Sequence, residues 1–260
     1  MPELVLIERR PPYALLTLNR PEKRNPLPYR PEDSLLPALE ALRREAAIRA
    51  VVITGAGKAF CSGLDLEQLA QLQRNTPAQN KRDSKAIRTF FETLREYHKP
   101  LIAAINGPAY AGGVGLALCC DFAIAAEDAS FCLSEVRVGF VPALVGVYLA
   151  RALGERRARE LCLSARVVPA AEAASMGLVN SVVPAAQLLE KSAALAASLA
   201  ELSPQALALT KGLFEKSAGL KKALDEAEQL NADARASADC QEGVRAFLEK
   251  RKPNWASKAP

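Results

Sequence analysis

The sequence predicts a mixed α/β fold that continues into a helical C-terminal region. Short apolar runs that are typical of buried strands occur at residues 50–54, 101–105 and 122–126. Helical patterns accompany these runs, and strands that alternate with helices indicate parallel βαβ units. From Gly146 onward the signal is nearly all helical, which divides the chain into a predicted core over residues 1–184 and a predicted helical region over residues 185–260.

The chain opens with two β-type runs, Leu4–Glu8 and Ala14–Asn19, which are separated by a Pro-Pro step and indicate a hairpin. A proline-rich stretch over residues 21–31 predicts a loop, because each proline removes a backbone donor. Residues 32–48 alternate apolar and charged side chains at helical spacing, and Pro37 is expected to delay the start of that helix.

Hydrophobic spacing predicts the remaining elements. Two helical patterns, at about 67–73 and 79–97, precede the second buried run, and residues 178–183 form a short strand candidate. The C-terminal region is predicted to contain three or four amphipathic helices, over residues 185–201, 204–217, 220–236 and 241–250.

Charge and composition weigh against a nucleic-acid-binding protein. Of 260 residues, 24% are charged with both signs interspersed and only 5% are aromatic, and the net charge is +5. No run of five like charges occurs, so nucleic acid is not expected as a partner. The mild basic excess would also suit a small polyanionic ligand.

Cysteine and histidine usage predicts no metal site. The cysteines lie mostly inside apolar runs, without CxxC or Cys/His spacing, and His98 is the only histidine. The cysteines are interpreted as buried thiols of a protein in a reducing compartment. The N-terminal residues carry acids, and no uncharged apolar run of about 18 residues exists, so we expect a soluble cytoplasmic protein.

Two glycine-bearing strand-to-helix junctions are the most informative features. The first is Ala59–Leu66 and the second is Asn106–Gly115, each following a buried strand. The first amides of a helix have no internal partner, and glycine lets a ligand approach the backbone. Two such amides that converge on one oxygen would form an oxyanion hole. Taken singly, each junction could equally serve a tight turn and close packing.

Together, the junctions and several further motifs resemble the enoyl-CoA hydratase/isomerase (crotonase) superfamily over essentially the whole chain. The further motifs are Asn19–Asn25, Lys99–Gly107, Cys120–Phe122, Ala173–Asn180 and Phe247–Pro253. The resemblance implies a ββα spiral core, an acyl-CoA thioester substrate and an enzyme of fatty acid metabolism. It also implies assembly into homotrimers or hexamers through the C-terminal helices.

The resemblance assigns roles to individual residues. The two oxyanion amides fall on Leu64 and Gly112, and the acyl and pantetheine path falls on Leu64, Asp65, Leu66 and Glu67. Contacts to CoA fall on Lys23, Arg24 and Lys250, although each of them could equally be a solvated surface charge. No separate cofactor is expected, because coenzyme A is part of the substrate.

The acid/base equipment departs from the family pattern. Relatives with hydratase activity carry one glutamate on the helix after the second junction, where this chain has Gly115, and a second at a position that falls on Glu135. Glu135 is flanked by apolar residues, and burial would raise its pKa towards neutrality, where proton transfer is efficient. Pro26 and Pro28 also depart from the family pattern, in the loop after Asn25.

Three functions remain open at this stage. A hydratase of a 2-enoyl-CoA is ranked first, because residues 133–143 resemble hydratases of branched or glutaconyl-type esters such as methylglutaconyl-CoA hydratase. A double-bond isomerase is second, since the single carboxylate of Glu135 would be sufficient for it. An acyl-CoA- or RNA-binding family member without turnover is the alternative of another class.

Overall fold

The computed structural model describes residues 4–28, 35–65, 74–215 and 219–254. Six strands form the main sheet in the order β1-β2-β3-β4-β6-β9, and a small second sheet has the order β5-β7-β8. The strands are β1 (Val5–Arg10), β2 (Tyr13–Leu18), β3 (Ala50–Gly55), β4 (Leu101–Ile105), β5 (Ala109–Tyr110), β6 (Phe122–Ala126), β7 (Ser130–Cys132), β8 (Val168–Pro169) and β9 (Ser181–Val183).

The sheet registers confirm the predicted hairpin and the predicted parallel units. β1 and β2 pair antiparallel, with Leu6 opposite Thr17, whereas β2-β3, β3-β4, β4-β6 and β6-β9 are all parallel. The second sheet was not predicted, because strands of two or three residues show no period in the sequence.

Helices cover the main sheet and follow one another as far as Leu248. They are α1 (Leu36–Arg43), α2 (Pro77–Arg95), α3 (Gly112–Cys119), α4 (Ala143–Leu153), α5 (Glu155–Ser164), α6 (Ala170–Met176), α7 (Leu188–Ala200), α8 (Pro204–Glu215), α9 (Leu220–Ala236) and α10 (Ala238–Leu248). Single 3-10 turns occur at Pro21–Lys23, Glu135–Val138 and Ala185–Gln187. The predicted helix at 67–73 lies outside the described residues.

Local capping explains where α2 and α10 begin. Thr76 caps α2, because its side chain accepts a hydrogen bond from the Gln79 amide (3.3 Å) while the Gln79 side chain accepts one from the Thr76 amide (2.7 Å). Ser237 accepts a hydrogen bond from the Cys240 amide (3.1 Å) and starts α10 earlier than the predicted residue 241.

A long-range contact ends α1 at Arg43 rather than at the predicted residue 48. The Lys99 ammonium group donates hydrogen bonds to the carbonyls of Leu42 (2.6 Å) and Glu45 (2.9 Å). A cation that bonds the last carbonyls of a helix satisfies acceptors which would otherwise be filled by a further turn. Hydrophobic spacing within α1 contains no trace of this contact, so the boundary could not be predicted locally.

The core lies on both faces of the main sheet. On β3, Val51 and Ile53 point to one face and Val52 to the other, as the two-residue period of a strand requires. α7 covers the Val52 face with Leu188, Ala196 and Leu199, while α2 contributes Phe91 and Leu94 to the other cluster. Because both faces are covered, every residue of the central strands β3 and β4 is buried, and nearly all of them are apolar.

The last helices return to the first part of the chain. α9 packs against α2 and α4, and α10 packs against the Glu135–Val138 turn. A Cβ atom on Gly243 would lie 2.4 Å from the backbone of Val138, so glycine permits that close approach. The α/β fold with a helical C-terminal region is therefore confirmed. The division at residue 184 stays a prediction.

Candidate active site

The two glycine-bearing junctions meet in space. Tyr110 donates its amide to the Cys61 carbonyl (2.9 Å), and Cys61 and Ala109 form an isolated parallel bridge. A Cβ atom on Gly63 would lie 3.2 Å from the Gly112 nitrogen. The segments that follow β3 and β4 are thus in contact at Gly63 and Gly112, because parallel neighbouring strands deliver their carboxyl ends to the same edge of the sheet.

The amides of Leu64 and Gly112 are available at this contact. Gly112 is the first residue of α3, whose opening amides have no partner within the helix. Leu64 forms an isolated bridge with Leu27, but the bond there runs from the Leu27 amide to the Gly63 carbonyl (2.7 Å). Within the described part of the chain, neither the Leu64 nor the Gly112 amide donates a backbone hydrogen bond.

Ala111 holds the Gly112 amide in place through an unusual backbone conformation. Its φ is 47° and its ψ is −116°, a region that residues with a Cβ atom rarely adopt. Its amide is anchored by donation to the Cys132 carbonyl (2.8 Å). Strain of this kind is found where a structure must aim a group in a set direction, so it supports a binding role for the adjacent amide.

Glu135 lies in the same region as a buried carboxyl group. Its exposed fraction is 9%, and its Oε2 atom is buried with no hydrogen-bond partner among the described residues. Burial in an apolar environment raises the pKa of Glu135 to about 7. Arg137, two residues further along the chain, donates to the Ala165 carbonyl. Glu135 is therefore a carboxyl group that can exchange a proton near neutral pH.

The position of the missing glutamate is closed by packing. A Cβ atom on Gly115 would lie 2.7 Å from Cζ of Phe91 and 2.9 Å from Cγ2 of Val145. Real side chains do not approach so closely, so no side chain fits here without displacement of both neighbours. The absence of a second carboxylate is built into the packing of α2, α3 and α4.

A cavity of about 850 Å³ joins these groups. Leu64, Gly112 and Glu135 line one part of it, which we call the Glu135 wall. Ile87 of α2 and Asn231 of α9 line another part, which we call the α2–α9 wall. The lining is mainly apolar with a few polar groups, as is usual for sites that bind small molecules.

The cavity includes some of the predicted binding residues and not others. Lys23, Arg24 and Asp65 line it. Lys250 is exposed and does not line the cavity, whereas the next residue, Arg251, lines it. Leu66 and Glu67 lie outside the described residues. Their roles, like those of the whole predicted set, stay predictions.

Asp65 connects two parts of the site. It is buried, with an exposed fraction of 4%, and its Oδ2 atom lies 2.7 Å from Nη1 of Arg20 and 3.9 Å from Nζ of Lys23. These ion pairs attach the turn after β2 to the segment that carries the Leu64 amide. The structure thus supports a positioning contribution from Asp65.

Sequence reasoning missed the α2–α9 wall entirely. Asn231 lies within an ordinary amphipathic pattern, and nothing in its neighbourhood in the sequence distinguishes it from a solvated helix residue. Its place in the cavity results from the packing of α9 against α2. That contact joins residues far apart in the chain, which a single sequence does not reveal.

The described residues contain neither a cluster of metal ligands nor a membrane-spanning helix. No group of three or more His, Cys, Asp or Glu side chains there could hold a metal ion. None of the helices described there is both long and apolar enough to cross a membrane.

Comparison with known proteins gives consistent matches. A family model described as Enoyl-CoA hydratase/isomerase matches residues 11–258. A Thermus thermophilus protein provisionally named an enoyl-CoA hydratase is 44% identical over 244 residues, which are 93% of this chain and 96% of that protein. Crotonyl-CoA hydratase of Syntrophomonas wolfei is 36% identical, covering 98% of this chain and 99% of its own.

Solved structures match at the level of the fold as well. The crystal structure of carnitinyl-CoA hydratase from Mycobacterium avium superposes with a TM-score of 0.86 at 32% identity, covering 99% of this chain and all of that one (100%).

Proposed function

Because the chain belongs to the enoyl-CoA hydratase/isomerase family, we propose that it is an enoyl-CoA hydratase that adds water to a 2-enoyl-CoA. One observation carries the proposal beyond family membership. A buried carboxyl group with a pKa of about 7, that of Glu135, lines the same cavity as two backbone amides available to a thioester oxygen.

The amides of Leu64 and Gly112 donate to the thioester oxygen in this proposal. As negative charge develops on that oxygen, hydrogen bonds in a cavity with a mainly apolar lining stabilise it more than they stabilise the neutral carbonyl. The β-carbon becomes electrophilic as a result. The positive end of the α3 dipole adds to the effect at Gly112.

Glu135 performs both proton transfers. Its carboxylate takes a proton from water, the oxygen of that water bonds to the β-carbon, and the π electrons move to form the thioester enolate. The enolate then takes the same proton from Glu135 at the α-carbon, which regenerates the carboxylate. One residue is sufficient because each turnover returns the proton that it removed.

The isomerase alternative is not favoured. The relatives at 44% and 36% identity carry hydratase names and cover nearly the whole chain. The missing second carboxylate, which favoured an isomerase, is compatible with a hydratase in which Glu135 acts twice. A direct assay distinguishes the two reactions, because only hydration changes the mass of the ester.

The finer features of the substrate belong to the proposal as well. Lys23 and Arg24 are suited to the phosphates of CoA, because both are basic and line the cavity. A branched or glutaconyl-type acyl group is the class suggested by residues 133–143. Coenzyme A enters as part of the substrate, so the mechanism requires no separate cofactor.

We also propose that the chain forms a homotrimer or a hexamer in the cytoplasm. α8 exposes Leu209, Leu213 and Phe214, with exposed fractions of 69%, 68% and 60%. Large apolar side chains that cluster on one exposed helix are typical of a protein interface. Sedimentation analysis of the purified chain tests this, and a monomer at micromolar concentration would contradict it.

The test of the activity compares three esters. The purified protein is incubated separately with crotonyl-CoA, 3-methylglutaconyl-CoA and a 3-enoyl-CoA, and products are identified by mass and chromatography. Glu135→Gln is expected to lower the rate of hydration by 10² to 10⁴, about the usual contribution of a general acid/base. Glu127→Gln makes the same chemical change at an exposed residue and is expected to behave like the parent.

Each outcome has a definite meaning. Water addition to either 2-enoyl ester, lost in Glu135→Gln but kept in Glu127→Gln, would support the hydratase with one carboxylate. Conversion of the 3-enoyl ester alone, without a mass change, would replace the proposal with an isomerase. No conversion of any ester, together with a salt-dependent shift of RNA, would indicate the binding alternative.

A further inference from the structure

The α2–α9 wall places a polar side chain in a largely apolar part of the cavity. Asn231 of α9 is buried, with an exposed fraction of 5%, and it lines the cavity together with Ile87 of α2. The proposed reaction makes no use of it. A polar group at such a position needs either a structural partner or a ligand.

The orientation of the Asn231 amide is determined by its neighbours. Nε of Arg235 lies 3.2 Å from Oδ1 of Asn231, and Oγ of Ser84 lies 2.7 Å from the same atom. A guanidinium group only donates, so the atom that faces Arg235 must be the oxygen. Both contacts therefore occupy Oδ1, and the amide nitrogen is the group presented to the cavity.

The residues behind Asn231 hold it rigidly. Arg235 is fully buried, lies 5.7 Å above the ring centroid of Phe140, and approaches Oδ2 of Asp83 at 3.6 Å. Ser84 is fully buried as well. Asn231 is thus a preorganised donor with a cation directly behind it, and preorganisation of this kind increases affinity for a matching acceptor.

The α2–α9 wall belongs to the same cavity as the Glu135 wall. Ile87 lines the cavity from α2, and Ser84, which contacts Asn231, lies about one turn before Ile87 on that helix. An acyl chain that extends from the Glu135 wall to Ile87 would therefore bring its distal end to Asn231.

We propose that Asn231 is a substrate-specificity residue whose amide nitrogen donates a hydrogen bond to an oxygen at the distal end of the acyl chain, most strongly to a carboxylate. The inference rests on the proposed function, because it assigns part of the same cavity to the acyl group. Ser84 and Arg235 are positioning residues that act through Asn231. A network that merely joined α2 to α9 would not require a donor facing the cavity.

The experiment measures binding rather than turnover, so that it does not depend on the proposed chemistry. Dissociation constants are determined by titration calorimetry for butyryl-, hexanoyl- and octanoyl-CoA, and for succinyl-, adipyl- and suberyl-CoA of matching length. In the parent, at least one carboxylate-ended ester is expected to bind about tenfold more tightly than its alkyl counterpart, the size of effect typical of one charge-assisted hydrogen bond. 6-Hydroxyhexanoyl-CoA is expected to fall between hexanoyl- and adipyl-CoA.

Asn231→Asp is the informative variant. Aspartate keeps the oxygen to which Ser84 and Arg235 donate, but it replaces the cavity-facing donor with an acceptor. The preference for the carboxylate-ended ester is expected to disappear or reverse. Gln229→Glu makes the same amide-to-carboxylate change on the exposed face of α9 and is expected to retain the preference of the parent. Asn231→Leu, which removes both polar atoms, is the second variant, and thermal unfolding shows whether each protein folds.

The outcomes separate this inference from the proposed function. A parent that prefers the alkyl ester at every length, or an Asn231→Asp variant that keeps the preference, would overturn the role of Asn231 while leaving the hydratase intact. A parent that binds adipyl-CoA preferentially yet hydrates no 2-enoyl ester would support the acyl subsite and overturn the reaction. A chain that binds none of the esters would overturn both.

Discussion

The two walls of the cavity are built in different ways. The Glu135 wall consists of segments that follow strands, at Leu64, Gly112 and Glu135, and two of its three groups are backbone amides. The α2–α9 wall consists of side chains on two long helices, Ile87 and Asn231, which meet only when the C-terminal region packs against the core. One wall follows from strand topology, and the other follows from helix packing.

Because of this difference, we expect one wall to carry out the reaction and the other to determine which ester is preferred. Backbone amides at the ends of parallel strands are held by the sheet itself, so the side chains around them can vary while the amides stay in place. The α2–α9 wall depends on which side chains α9 presents to α2, and a single substitution there changes the surface that meets the acyl group. We therefore expect substitutions at the Glu135 wall to change rates, and those at the α2–α9 wall to change which ester is preferred.

The largest expected effect is the pH dependence that Glu135 imposes on its wall. Glu135 must be ionised to take a proton from water, and its pKa is raised to about 7 by burial. The ratio kcat/KM for crotonyl-CoA is thus expected to fall about tenfold per pH unit below neutrality, so that it is roughly 100-fold lower at pH 5 than on its plateau. A pH–rate profile from pH 5 to 9 measures this, and a profile that is flat from pH 5 upward would contradict the role of Glu135.

Unfolding measurements provide the control for that profile. The folded-state pKa of Glu135 lies above the unfolded value of 4.5, so the stability that protonation contributes is complete below pH 4.5 and is lost as the pH rises through 7. Ionisation of Glu135 above pH 7 costs on the order of 3 kcal/mol. Glu135→Gln removes that cost, and its unfolding temperature should exceed that of the parent more at pH 8 than at pH 5.

The segments that form the Glu135 wall could be located from the sequence because their determinants are local. The two glycine-bearing junctions follow apolar runs, and Glu135 has apolar flanks, whereas the resemblance to the family was needed to assign roles to Leu64, Gly112 and Glu135. The pKa of Glu135 could be predicted only in direction, because it depends on burial by residues from several elements. Asn231 could not be predicted, since its hydrogen bonds to Ser84 and Arg235 require the helices to be packed.

The fold shows the same separation between local and distant causes. Strands β3, β4 and β6 match their predicted bounds to within a residue, because each is a continuous apolar run bounded by a change in composition. The predicted end of α1 was wrong, because Lys99, which is distant in the sequence, donates hydrogen bonds to the carbonyls at the end of the helix. The predicted end of α1 thus failed where a tertiary contact determines it, and the bounds of these strands succeeded where the sequence itself changes character.

A smaller effect is expected at Gly115, which packs between α2 and α4. Gly115→Ala places a methyl group within 3 Å of Phe91 and Val145, at 2.7 Å and 2.9 Å in the present geometry. Overpacking of this kind costs about 1–3 kcal/mol, so the unfolding temperature should decrease by several degrees. Gly146→Ala, in α4, is the matched control, because a Cβ atom on Gly146 would meet only Sγ of Cys162, at 3.9 Å. Stabilisation of both variants would show that the space beside Gly115 is not closed.

The smallest expected effect concerns the basic residues after α10, where the sequence and the structure favour neighbouring positions. The resemblance assigned a CoA contact to Lys250, whereas Arg251 lines the cavity and pairs with Glu242 at 2.6 Å. This pairing lowers the pKa of Glu242 to about 2. Even at the ordinary value of 4.5 Glu242 is ionised near neutral pH, so it would repel phosphates once Arg251 is removed. Arg251→Ala is therefore expected to raise KM for a CoA ester about threefold to fivefold, more than Lys250→Ala does, and low salt should enlarge the difference.

Steady-state kinetics measures KM for the two variants. Glu242→Gln in the Arg251→Ala background should restore part of the lost affinity for the CoA ester. A larger effect from Lys250→Ala would mean that the family's contact, and not the cavity lining, identifies the residue that binds CoA.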